Sequence, residues 1–104
     1  MYHLKFTSAL KKSYKRMKKR GVDLNLLDEV IEQLRLGHSL DEKYRDHELK
    51  GSYAGFRECH IKPDWILIYL IEDDVLTLTL SDTGSHADLF NMELFDEQEV
   101  NESL

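Results

Sequence analysis

Three histidines of this chain, His47, His60 and His86, lie in polar or turn-flanked stretches. Imidazoles titrate near neutral pH, so one can accept a proton while another donates one. Asp64, just after His60, can orient such an imidazole or act as a base. Applied to RNA, a base would take the 2′-hydroxyl proton and an acid would protonate the leaving 5′-oxygen. The phosphorane between them needs positive charge or hydrogen-bond donors. The same histidines also have a plainer reading, as surface groups bonded to turn backbone, and residue types alone leave both open. The set could in principle surround zinc, but no HExxH or other compact ligand spacing is present, so no metal is expected. The one cysteine, Cys59, excludes an internal disulfide and a cysteine zinc cluster, and reads as a small buried residue.

The elements that must position these groups are legible from periodicity. Residues 2–6 alternate as a short strand. Thr7 or Ser8 can cap a following helix, in which Phe6, Leu10, Tyr14 and Met17 recur at threes and fours. Gly21 can end it. A second helix, capped by Asp23 or Asn25, carries Leu27, Val30, Ile31 and Leu34 on one face and stops at Gly37. Residues 38–54 read as a loop with short turns. Three strands follow: 55–61, 65–71 and 75–81, with tight turns between them that imply antiparallel pairing. Leu76, Leu78 and Leu80 alternate with Thr77, Thr79 and Ser81, so one sheet face is apolar and the other free for a ligand. Helices first and strands later predict an α+β fold with the helices on one sheet face. His60 shares a face with Glu58, and the strand ends near His60 and His86 can converge on one rim. His47, on the entering loop, can reach that rim.

Composition sets the frame. At 41% hydrophobic and 33% charged residues, 104 residues make one small globular domain rather than a disordered chain. The apolar run 65–71 is too short to span a bilayer and no secretory signal is evident, so a cytoplasmic location is expected. Residues 1–62 hold all 14 Lys and Arg against 9 acids, a charge of +5, whereas residues 63–104 hold 11 acids and no Lys or Arg. Lys11, Lys12, Lys15, Lys18 and Lys19 lie opposite the apolar face of the first helix, and no acid occurs in residues 1–20. Such a face suits a nucleic-acid backbone, although a run of this kind is more often a solvated surface. Trp65 can stack on a base or sit in the core, and Tyr53, Phe56 and Phe90 carry the same ambiguity.

The stretch 46–69, DHELKGSYAGFRECHIKPDWILIY, and the later 83–90, TGSHADLF, resemble the YafQ-type toxins of the RelE/ParE superfamily. The resemblance spans about residues 1–91, taken as one toxin domain, with 92–104 an acidic tail. It implies a ribosome-dependent mRNA endonuclease that uses the RNA's own 2′-hydroxyl, with no metal and no cofactor. It also implies an antitoxin of the DinJ/RelB type, with operator DNA met only through the antitoxin complex, and no membrane partner. By position it implies His47, His60, Asp64 and His86 as catalytic, His86 being the proton donor. Trp65 and Phe90 line the site and Glu58 lies beside it. The histidine set argues against the gyrase-directed branch of the superfamily.

One departure stands out. Where the family usually has an arginine before Thr-Gly-Ser/Thr-His, this chain has Asp82. An anion then replaces a cation suited to the scissile phosphate, and Arg57 or Lys50 would have to supply the missing charge. Asp82 could also favour protonated His86 while repelling phosphate. The alternative expectation is therefore a catalytically weak module that keeps antitoxin and ribosome binding. The tail acids Glu93, Asp96, Glu97, Glu99 and Glu102 are expected to shield the lysine face.

Overall fold

The computed structural model describes residues 1–90, so the tail expected over 92–104 lies outside the described residues. The chain opens with strand β1 (His3–Phe6), followed by helices α1 (Ser8–Lys19) and α2 (Asn25–Arg35). Thr7 caps α1, its hydroxyl accepting the Leu10 N–H at 3.0 Å. Gly21 and Gly37, both with positive φ, follow the two helix ends as left-handed terminators. Strands β2 (His47–Glu48), β3 (Arg57–Lys62), β4 (Trp65–Glu72) and β5 (Thr77–Gly84) complete a five-stranded sheet of order β1-β5-β4-β3-β2. The meander β3-β4-β5 is antiparallel, while β1 runs parallel to β5. Residues 86–90 form a last helical segment, α3.

The expected α+β architecture is present, with α1 and α2 packed on one sheet face. Leu10, Met17, Leu27, Val30 and Leu34 of the helices meet Cys59, Leu67, Tyr69, Leu78 and Leu80 of the sheet in one core. Burying each large side chain stabilises the fold by ~1.5–3 kcal/mol. No helix among the described residues is long and apolar enough to cross a membrane.

Four local expectations change. The loop 38–54 contains β2, a two-residue strand paired with Glu58 and Arg57. The last strand runs from Thr77 to Gly84 rather than from 75 to 81, because Asp73–Val75 form a 3-10 turn. Leu76 follows that turn with φ 48° and is exposed, so it does not share the face of Leu78 and Leu80. Phe6 belongs to β1 and is exposed, whereas Ser13 takes a buried place on α1.

Candidate active site

Pairing places the site on the sheet face opposite α1 and α2. His60 pairs with Ile66 and Glu58 with Ile68, and paired residues share a face. Both isoleucines are almost wholly buried and form the floor. Ile66 pairs in turn with Gly84 of β5, so the row His60-Ile66-Gly84 crosses three strands. Two residues past Gly84, α3 begins and carries His86 back over β4 toward His60. Their rings lie 5.4 Å apart. On the other side β2 sets His47 opposite Glu58, its ring 6.3 Å from that of His60.

The three imidazoles meet at one atom. Oε2 of Glu58 lies 3.2 Å from His86 Nε2, 3.3 Å from His60 Nε2 and 3.5 Å from His47 Nε2. Glu58 is buried, and a buried carboxylate requires counter-charge or donors. The other ring nitrogens are fixed by backbone. His47 Nδ1–H donates to the Arg45 carbonyl at 2.7 Å, and His60 Nδ1–H to the Pro63 carbonyl at 3.3 Å. A carbonyl only accepts, so Nδ1 carries a proton in both rings. In both rings Nε2 is therefore the nitrogen turned to the Glu58 carboxyl. Exposure separates the roles: His47 and His86 side chains are 50% and 44% exposed, but His60 only 15%. Two reachable imidazoles flank a shielded one.

Phe90 stacks on His86 at 5.9 Å and meets Tyr53 edge-on at 5.3 Å, making an aromatic wall beside the cluster. Phe90 therefore lies where the sequence reading put it, and Tyr53, left ambiguous there, joins it.

Other expected residues lie elsewhere. Asp64 sits in the β3–β4 turn and faces a different cavity, beside Gly84, Ser85 and Asp88. Among the described residues it makes no hydrogen bond or ion pair with an imidazole, and Glu58 is the carboxylate that does. Trp65 is 6% exposed and packed in the helix-side core, so its ring is not free to stack on a base. Its Nε1–H donates to Thr83 Oγ1 at 2.9 Å, and that hydroxyl donates to the Ile66 carbonyl at 2.7 Å. Trp65 positions the end of β5, three residues before His86. Arg57 alternates onto the helix face with Cys59 and Ile61, where it binds Asp46 at 3.2 Å, so it does not reach the cluster. Lys50 is exposed just ahead of a 3-10 turn and forms no ion pair among the described residues. The carboxylate of Asp82 accepts the Ser13 hydroxyl at 2.7 Å and the Thr83 N–H at 2.8 Å. It meets α1 through Ser13 and makes no hydrogen bond or ion pair with His86 among the described residues, while its pairing with Ile68 keeps it in the row of Glu58. The five α1 lysines are all exposed. Cys59 is fully buried, and burial pushes its thiol up to about 12, so it is no nucleophile.

Glu58, His60 and His86 each offer one ligand atom, all within 4.8 Å of one another. Two imidazoles and a carboxylate suit zinc or copper, a capacity that the sequence spacing did not reveal.

The chain is similar to known proteins over most of its length. A family profile described as "Bacterial toxin of type II toxin-antitoxin system, YafQ" matches residues 2–91. The mRNA interferase toxin YafQ of Escherichia coli (strain K12) is 37% identical over 89 residues, covering 84% of this chain and 94% of its own. The crystal structure of a metal-bound toxin from Helicobacter pylori superposes with a TM-score of 0.82 at 42% identity, covering 86% of this chain and all of that one. The toxin in the E. coli DinJ-YafQ complex gives 0.79 at 35% identity, covering 86% of this chain and 99% of that one.

Proposed function

The chain belongs to the YafQ family of type II toxins, and on that premise we propose that it cleaves mRNA on the ribosome by imidazole acid–base chemistry. It is an mRNA interferase toxin with an antitoxin partner of the DinJ type. Cleavage proceeds by attack of the RNA 2′-hydroxyl on the adjacent phosphorus. The attack leaves a 2′,3′-cyclic phosphate and expels the 5′-oxygen. His47 takes the hydroxyl proton and His86 gives a proton to the leaving oxygen. They are the exposed pair, and they stand on opposite sides of His60. His60 and Glu58 position them and hold protons between them. Phe90 and Tyr53 line the site for a base. The lysines of α1 meet ribosomal RNA, operator DNA is met only through the antitoxin complex, and the protein acts in the cytoplasm.

The observation that carries this reading is the convergence of three imidazoles on Glu58 Oε2. The weak-module alternative rests on Asp82 as an anion near the phosphate; its carboxylate accepts the Ser13 hydroxyl and lies in the row of Glu58 and Ile68. The test is induced expression with mapping of mRNA ends on translating ribosomes. Growth arrest and codon-phased cuts are expected from the wild type, and no cuts from His86→Ala. Unchanged cutting by His86→Ala would remove it as the acid. Proton transfer here needs no metal, and a metal on Glu58, His60 and His86 would occupy the lone pairs that move protons. Cutting is therefore expected to survive a chelator, with ribosomal magnesium restored, and to fall when copper or zinc is added.

A further inference from the structure

A cavity of about 450 Å³ adjoins the cluster, with His60 in its wall. Its other polar lining is Lys43, Tyr44, Arg45 and Lys62, with Pro63 at the edge and no carboxylate. Four further cavities of about 420 to 650 Å³ each include at least one acid. Lys43, Arg45 and Lys62 are exposed, and none forms an ion pair among the described residues. Three cations with no anion make a site for an anion.

Both walls are tied to the catalytic geometry. The 3-10 turn Glu42–Tyr44 ends at Arg45, whose φ of 51° is unusual for a residue with a side chain. That backbone turns the Arg45 carbonyl onto His47 Nδ1. One turn thus orients His47 and lines the cavity. The opposite wall is the irregular end of β3, where the register shifts between His60 and Lys62. The cavity therefore lies on the side of the cluster that holds the base rather than the acid.

We propose that this cavity is the subsite for the nucleotide bearing the attacking 2′-hydroxyl. Lys43, Arg45 and Lys62 bind its 5′-phosphate. The assignment rests on the mRNA-cleavage reading and on His47 as the base. It also supplies positive charge beside the reacting linkage, which Arg57 and Asp82 do not.

The test uses an uncleavable 2′-O-methyl dinucleotide, with a 5′-phosphate or a 5′-hydroxyl, titrated into the whole protein and followed by amide NMR. Shifts are expected at residues 43–45 and 60–62, with the phosphate form binding several-fold more tightly. Lys43→Ala/Lys62→Ala, at exposed positions, should keep the native spectrum and lose that preference. Its salt-dependence slope should fall by about 1.4, at about 0.7 per lost contact to a single strand. Equal binding of the two forms, shifts confined to the α1 lysines, or no shift at millimolar ligand would each overturn the proposal. Because no cutting is read, these outcomes are separate from those of the His86→Ala experiment. If the wild type cuts mRNA but the 5′-phosphate has no effect, the subsite alone is wrong.

Discussion

The hydroxyl of Thr83 is the most consequential small group near the site. It is wholly buried, accepts the indole N–H of Trp65 at 2.9 Å and donates to the Ile66 carbonyl at 2.7 Å. Thr83→Val keeps the shape and removes both bonds. A buried N–H left without a partner costs ~1–3 kcal/mol, and the lost bond to Ile66 adds about 1. The added methyl returns a fraction of this, so a net loss of about 2–3 kcal/mol is expected. At ~4–8 °C per kcal/mol for a domain of this size, the midpoint should fall by roughly 10–20 °C. Trp65→Phe removes the donor and leaves a void, at ~1–2 kcal/mol. In the double variant no indole N–H is left to be orphaned. It should cost about 1–2 kcal/mol less than the two single losses combined. Calorimetry on the four proteins measures this coupling. Additivity within ~0.5 kcal/mol would show that the relay contributes nothing as a pair, and the account of Trp65 as a positioning residue would fail.

Three further outcomes follow from groups on the helix face. Cys59, with its thiol held up to about 12 by burial and by the Asp46 and Glu58 carboxylates, should resist a thiol reagent at pH 8 in the native protein and react once in denaturant; fast native labelling would contradict its burial. The buried Tyr69 hydroxyl donates to Asp46, which also binds Arg57, so Asp46→Asn should destabilise by about 1–2 kcal/mol, discounted because Asp46 and Arg57 are partly exposed. Burial and Asp46 raise the Tyr69 pKa, so its contribution is intact below the unfolded value of about 10 and is lost as pH climbs above it. Denaturant melts at pH 9 and 11 should therefore show a smaller drop for Tyr69→Phe than for the wild type.

Periodicity carried most of the fold. Leu27, Val30, Ile31 and Leu34 announce α2, and the alternation of Leu78 and Leu80 with threonines announces β5. The shared face of Glu58 and His60 followed from the same parity. Parity also places Arg57 with Cys59 and Ile61, away from the site. The rest was not periodic. A two-residue strand such as β2 has no repeat to detect, yet it delivers His47 to Glu58. Asp64 follows His60 closely in sequence and matches the family motif, but a tight turn reverses direction between neighbours. Glu58 became the hub only through contacts between strands, which spacing along one strand does not measure.

The position of His86 depends on a fault in the sheet. Across β4 and β5, Tyr69 pairs with Leu80 but Ile68 pairs with Asp82, so Ser81 is an extra residue. Such a bulge reverses which face each later side chain takes. Without it, Asp82 would share the core face of Leu78 and Leu80, and Thr83 would turn to the ligand face. With it, Thr83 enters the core to meet Trp65, and Gly84 falls in the row of Ile66 and His60. The chain then leaves β5 on the side where Glu58 waits. The bulge also lies beyond the last β1 pair, Phe6 with Leu80, where α1 closes the sheet edge and Ser13 takes the Asp82 carboxylate. One inserted residue thus accounts for two features at once: a buried Thr83 and a His86 returned to the imidazoles.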